Sequence, residues 1–223
     1  MGTAIRFKRP DGREASGYLA AAKDAKAPGI IVIQEWWGVQ GQIKGVCDRL
    51  AQLGYRAIAP DLYNGTVVPY HDPDAANAAM SALDFQESVD QVVRGAAQHL
   101  KAQGAKVGLT GFCLGGLVSA LGAVRLPELS AAVAFYGLPD PKAGDPKALR
   151  VPLQGHFANK DDWCTPAAVD GFESAAKAAG KAVEFYRYDA AHGFTNEEQP
   201  YYNASAAKLA WDRMMTFWKT HLA

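Results

Sequence analysis

Near the middle of the chain runs Lys106-Val107-Gly108-Leu109-Thr110-Gly111-Phe112-Cys113-Leu114-Gly115-Gly116-Leu117. It begins as a short apolar run, closes on a Gly-x-Cys-x-Gly-Gly turn and continues with helix-compatible residues. A strand that turns directly into a helix around one exposed residue needs small residues two before and two after it, because the turn is strained and the helix packs close on the strand. Gly111 and Gly115 meet that need, and Cys113 occupies the exposed position. A thiol there sits at a helix N-terminus, whose dipole favours the thiolate. A buried structural cysteine in a glycine-rich packing turn fits the same letters, since unpaired Cys is among the most buried residue types.

Outward from this turn, short apolar runs bounded by Gly or Pro alternate with helical segments. Ile30–Ile33, Arg56–Ala59, Val107–Leu109, Ala132–Phe135, Val151–Leu153 and Val183–Tyr186 read as parallel strands buried on both faces. Ile43 to Leu53 has the helical period and stops at Gly54, and Thr165 to Gly180 opens with an N-cap Thr and Pro166 at the first helical position. Asp74 to Leu100 reads as a long helical stretch with a break, and Ala204 to His221 as a closing amphipathic helix whose apolar residues include Leu209, Met214, Phe217 and Trp218. Before all of these, Ile5–Lys8 and Ala15–Leu19 flank the turn Pro10-Asp11-Gly12, a hairpin. The pattern predicts a mostly parallel, doubly wound α/β sheet with an antiparallel N-terminal hairpin, in one domain over residues 1–223. In such sheets the chemistry sits at the C-terminal ends of the strands.

Composition narrows the function. Among 223 residues, 49% are apolar and 21% charged, which excludes intrinsic disorder. Lys+Arg and Asp+Glu are balanced at 23 each with no run of like charge, so neither nucleic acid nor a membrane surface is an expected partner. The apolar stretch Ala27 to Ile33 is far shorter than the ~20 residues of a membrane span. Met1 to Arg13 is polar, and three cysteines without C-x-x-C spacing suggest free thiols, so the expected setting is the cytoplasm, with no metal or cofactor.

Two late strands supply partners for a nucleophile. Val151 to Phe157 is followed by Ala158-Asn159-Lys160-Asp161-Asp162-Trp163, and Val183 to Tyr188 by Asp189-Ala190-Ala191-His192-Gly193-Phe194. Nucleophile, acid and His in that chain order, each after a strand, is the arrangement of elbow hydrolases. Of five histidines, only His192 follows a late strand and precedes a glycine. His71 and His221 read as surface residues, His99 as helical, and His156 as the end of a strand below the acid loop. Earlier, Ile31-Val32-Ile33-Gln34-Glu35-Trp36-Trp37-Gly38 puts a carboxylate at the end of an apolar strand, where it is costly unless paired. The Trp36 and Leu114 backbone amides are the natural oxyanion donors. Glu35 reads either as a solvated loop residue or as a thiol partner or proton relay.

These motifs together resemble the dienelactone hydrolase family of the α/β-hydrolase fold. The resemblance runs from about Ala27 to Ala223 and rests on Gln34-Glu35, Gly54-Tyr55, Pro60-Asp61-Leu62-Tyr63, Gly-Phe-Cys-Leu-Gly-Gly, Phe135-Tyr136-Gly137 and Ala191-His192-Gly193-Phe194. It implies an α/β-hydrolase fold, in which the short loops of this chain leave little room for a large cap domain, and a Cys-His-Asp triad that opens enol lactones: Cys113 as nucleophile, His192 as base, Asp161 as orienting acid, and Glu35 touching the resting thiol. The acid loop departs from the family pattern, since counting from Phe157 selects Asp161 and counting back from Pro166 selects Asp162. The family's two carboxylate-binding arginines also have no counterpart, the positions falling near Pro73 and at Asn196.

The expected substrate is therefore a lactone or small ester without a free carboxylate, bound by a monomer or small homo-oligomer. Trp37, Tyr136 and Phe194 are expected at the substrate, within an aromatic group that also includes Trp36, Tyr70, Phe135 and Trp163. Arg125, about three turns beyond Cys113 on its helix, should point away from the pocket, leaving Lys160 as the cation in reach. A non-hydrolytic small-molecule binder or redox sensor acting through Cys113 is the rival reading. A peptidase or thioesterase with a larger substrate is a third.

Overall fold

In the computed structural model, which describes residues 1–102 and 106–223, eight strands form one sheet. They are β1 (Thr3–Lys8), β2 (Glu14–Ala20), β3 (Gly29–Ile33), β4 (Arg56–Pro60), β5 (Val107–Phe112), β6 (Ala131–Phe135), β7 (Leu153–Lys160) and β8 (Val183–Ala191). Their spatial order is β1-β2-β4-β3-β5-β6-β7-β8. The N-terminal hairpin pairs antiparallel and is joined to β4 antiparallel; from β4 to β8 every pairing is parallel.

The strands β3 to β6 are buried at every position because both faces are covered, and they are mostly apolar for that reason. Ile31 and Ile33 of β3 face the layer that includes Val118 and Phe172, while Ile30 and Val32 face the one that includes Ile43 and Met214. The first layer comprises α4 (Arg94–Lys101), α5 (Leu114–Arg125) and α6 (Pro166–Ala178); the second comprises α1 (Gly41–Gln52) and α7 (Ala204–Leu222). The predicted caps are present: the Thr165 side chain accepts from the Ala168 amide with Pro166 in the first turn, and Gly54 ends α1 at φ +94°. The long segment is broken as expected, into α2 (Pro73–Ser81), the single turn α3 (Phe85–Glu87), a π-helical stretch Ser88–Val93, and α4. No crossover among the described residues carries an inserted domain; between β6 and β7 there is only the short 3-10 turn Pro146–Ala148.

Three expectations are corrected. β7 starts at Leu153 and runs through Lys160, and β8 runs through Ala191, so both late strands continue into segments read as loops. β8 is an edge strand, and the run Val183–Tyr186, read as buried on both faces, is half-exposed. On α7, Met214, Phe217 and Trp218 are buried but Leu209 points to solvent, 46% exposed.

Candidate active site

The parallel register of β7 and β8 builds the first half of the site. Lys160 pairs with Ala191, past a register shift after Ala158, so Asp161 and His192 emerge together one residue beyond the paired ends. Asp161 Oδ2 lies 2.8 Å from His192 Nδ1. Its other oxygen, Oδ1, accepts from the backbone amides of Trp163 and Cys164, each at 2.9 Å. The carboxylate is thus buried with its hydrogen-bonding capacity used, the condition under which such burial is tolerated. Asp162 has no such contact and faces the cavity. Gly193, at φ +75°, lets the chain turn sharply behind the imidazole.

The turn between β5 and α5 builds the second half. Cys113 holds φ +56° and ψ −117°, a conformation disfavoured for a residue with a side chain. A Cβ on Gly115 would lie 2.5 Å from the Ile33 carbonyl oxygen, and one on Gly111 2.3 Å from the Gly115 oxygen, so both glycines are required by contact. The chain after β3 also reverses tightly, with Gly38 N–H donating to Glu35 O at 3.2 Å. As a result the backbone amides of both Leu114 and Trp36 lie close enough to the Cys113 sulfur to favour its thiolate. Those are the two amides expected to form the oxyanion hole.

Burial raises the Cys113 thiol well above its ordinary range, the nearby Glu35 carboxylate raises it further, and the two amides only partly offset this. The resting group is a neutral thiol, so the expected advantage of the helix N-terminus for the thiolate is outweighed. Glu35 itself is buried, and desolvation raises its pKa against the lowering effect of its hydrogen bonds. Its partners are Asn196 Nδ2, which donates to Oε2 at 2.7 Å, and Tyr136 OH, which donates to Oε1 at 3.0 Å. Glu35 is therefore neither a solvated loop residue nor hydrogen-bonded to the thiol; it acts on Cys113 through space. Asn196, which stands where the family pattern has an arginine, serves to satisfy this carboxylate.

Cys113 and His192 open onto one cavity of about 570 Å³. Trp36, Met80, Trp163, Ala191 and Tyr201 supply its apolar wall, and Asn77, Lys160 and Asp162 its polar one. None of the three aromatics expected at the substrate lines it. Trp37 packs on Tyr70 and Val68, Phe194 is wedged between Tyr136 and Tyr188, and Tyr136 is fully buried with its hydroxyl on Glu35 and Thr195. Phe135 is likewise core, stacked between Phe112 and His156. Trp36 and Trp163 do reach the cavity; Trp163 is 47% exposed, with its ring edge-on to the His192 imidazole at 5.3 Å. No sequence motif marks Asn77 and Met80, which α2 brings to the cavity, or Tyr201, which the loop after His192 brings there. Arg125 is tied to Asp90 and does not line the cavity. No cluster of His, Cys, Asp and Glu suited to a metal occurs among the described residues.

A strained cysteine between a β-strand and a helix, a His–Asp pair just beyond the ends of β7 and β8, and two backbone amides beside the cysteine are the arrangement of an α/β-hydrolase. Residues 15–222 match the Dienelactone hydrolase family. "Protein usf" of Aquifex pyrophilus is 34% identical over 100% of both chains. A "Putative carboxymethylenebutenolidase" of Methylorubrum extorquens is 34% identical over 97% of this chain and 80% of that protein. A "Putative Dienelactone Hydrolase" structure from Klebsiella pneumoniae superposes with a TM-score of 0.84 at 30% identity, covering 97% of this chain and 98% of that one. The chain belongs to the dienelactone hydrolase family.

Proposed function

We propose that the protein cleaves lactones or small esters through a Cys113–His192–Asp161 triad. The observation that carries this reading is the 2.8 Å His192–Asp161 contact at the mouth of the cavity onto which Cys113 opens. Asp161 fixes Nδ1 of His192 as the protonated nitrogen, which leaves Nε2 to take the thiol proton. The sulfur attacks the carbonyl carbon, and the tetrahedral oxyanion accepts from the Leu114 and Trp36 amides beside it. Collapse expels the alkoxide, which takes the proton back from His192 and leaves an acyl thioester on Cys113. For a lactone the alcohol stays tethered to the acyl group. Water, deprotonated by His192, then opens the thioester, and the free acid and the thiol are regenerated. Glu35 holds the resting sulfur as a thiol until substrate arrives, which protects it from indiscriminate alkylation and oxidation.

Cys113→Ala should abolish turnover of a small aryl ester while circular dichroism stays unchanged, and Cys47→Ala and Cys164→Ala should retain it. Asp161→Asn should lose up to ~10⁴ in kcat, the scale seen when a triad His loses its orienting carboxylate; Asp162→Asn should lose far less. Near-full activity in Cys113→Ala, or the reverse ranking of the two aspartates, contradicts the assignment.

A further inference from the structure

Resting on the hydrolytic reading, we infer that the cavity selects uncharged esters or lactones carrying an apolar aromatic ring and discriminates against substrates bearing a free carboxylate. Lys160 is the one cation on the cavity wall among the described residues, and its side chain stands in solvent, 69% exposed, paired with the likewise exposed Asp189 at 2.6 Å. Asp162 faces the same space, with no ion-pair partner among the described residues. Behind the wall lie two more carboxyl groups, Asp161 and Glu35, both buried and both with their oxygens fully engaged by other donors. A substrate carboxylate entering here would lose its hydration, find no buried guanidinium or ammonium to replace it, and face like charge. The buried amide that could have donated to it, Asn196 Nδ2, is committed to Glu35.

What the wall does offer is aromatic surface beside the reacting groups. The Trp163 ring abuts the His192 imidazole, and the Tyr201 ring lies over Gly193, so close that a Cβ there would sit 2.4 Å from it. Trp36 and Met80 complete an apolar seat in a cavity large enough for a bicyclic ring. Burial raises the Tyr201 phenol to about 12, so at neutral pH it stays uncharged and adds no cationic or anionic contact to the seat.

The test is a matched pair, 2-naphthyl acetate and 6-carboxy-2-naphthyl acetate. The inference predicts kcat/KM at least tenfold higher for the neutral ester; any smaller preference, or one for the carboxylated ester, overturns it while leaving the hydrolytic reading intact. Trp163→Ala should raise KM for 2-naphthyl acetate more than for vinyl acetate, and equal changes count against the aromatic seat. A second measurement separates the two readings. In Cys113→Ala, tryptophan fluorescence should report tighter binding of 2-naphthol than of 6-hydroxy-2-naphthoate whether or not the native protein turns over either ester. Equal binding, tighter binding of the naphthoate, or no binding of either overturns the inference; absence of turnover by the native protein overturns the hydrolytic reading.

Discussion

Glu35 is where stability and function pull in opposite directions. Its burial makes the protonated form easier to hold, so its folded pKa lies above the ordinary 4.5. A carboxyl raised in this way stabilises the fold below that ordinary value, and the contribution is lost as pH rises through the raised folded value. Gln has the same shape, can accept from Asn196 and donate to Tyr136, and carries no charge. Glu35→Gln should therefore be more heat-stable than the native protein at pH 8, with the gap closing toward pH 4.5. The same change removes a carboxylate that disfavours the Cys113 thiolate, so iodoacetamide should alkylate Cys113 faster at neutral pH. Thermal melts and alkylation rates check the two halves, and unchanged values for both would reduce Glu35 to a packing residue. In the sequence Glu35 was conspicuous as an acid ending an apolar strand. That Asn196 and Tyr136 would satisfy it was not legible, because those partners lie 161 and 101 residues away in the chain.

The elements around the site were legible wherever backbone chemistry dictates a turn. Gly111, Cys113 and Gly115 announce the β5–α5 elbow, since a side chain at either glycine would strike backbone, and Thr165-Pro166 announces α6. The ends of β7 and β8 are not legible in sequence because Asn159, Lys160 and Asp189 are polar and read as loop, yet the pairing resumes at Lys160 and Ala191 past a register shift. That extension matters, since it delivers Asp161 and His192 side by side. The elbow also invites a test of its own. In Gly115→Ala the new Cβ would meet the Ile33 and Gln34 carbonyl oxygens at 2.5 and 2.6 Å, so the end of β3 and the Trp36 amide beyond it must shift. The cost should be about 1–3 kcal/mol of stability, typical of overpacking. Because the oxyanion donor moves with the backbone, kcat for a small ester should fall by more than the residual folded fraction explains; a loss of stability with unchanged kcat would detach the Trp36 amide from the chemistry.

Across the whole molecule, the sheet order places the ends of β3, β5, β7 and β8 around one cavity, an outcome that strand patterning implies but does not specify. The aromatic residues were harder to assign from sequence, because Trp37, Tyr136 and Phe194 have the same composition signal whether they face substrate or core. His156 shows the same ambiguity. It is fully buried between the rings of Phe135 and Tyr186, with Nδ1 on Tyr188 OH at 2.8 Å and Nε2 on Gln154 Oε1 at 2.9 Å. Burial, assisted by the Arg213 charge, lowers its pKa from 6.5 to about 3. The unfolded chain therefore binds the extra proton first, and stability present above 6.5 is lost as pH falls toward 3, at up to about 1.4 kcal/mol per pH unit from this group. His156→Asn should be less stable at pH 7.5 but lose stability less steeply between pH 6.5 and 4, as read from melting temperatures; parallel slopes would mean that other groups govern acid unfolding.

The central claim is that bond cleavage passes through the sulfur of Cys113. Intact-protein and peptide mass spectrometry of samples acid-quenched during steady-state turnover of 2-naphthyl acetate tests it most directly, because a thioester survives acid and adds one acetyl mass. The account predicts that acetyl group on the peptide containing Cys113, vanishing when Cys113 is replaced by Ala. An acetyl adduct on another residue that disappears with turnover, or sustained turnover by Cys113→Ala with no adduct, would contradict it.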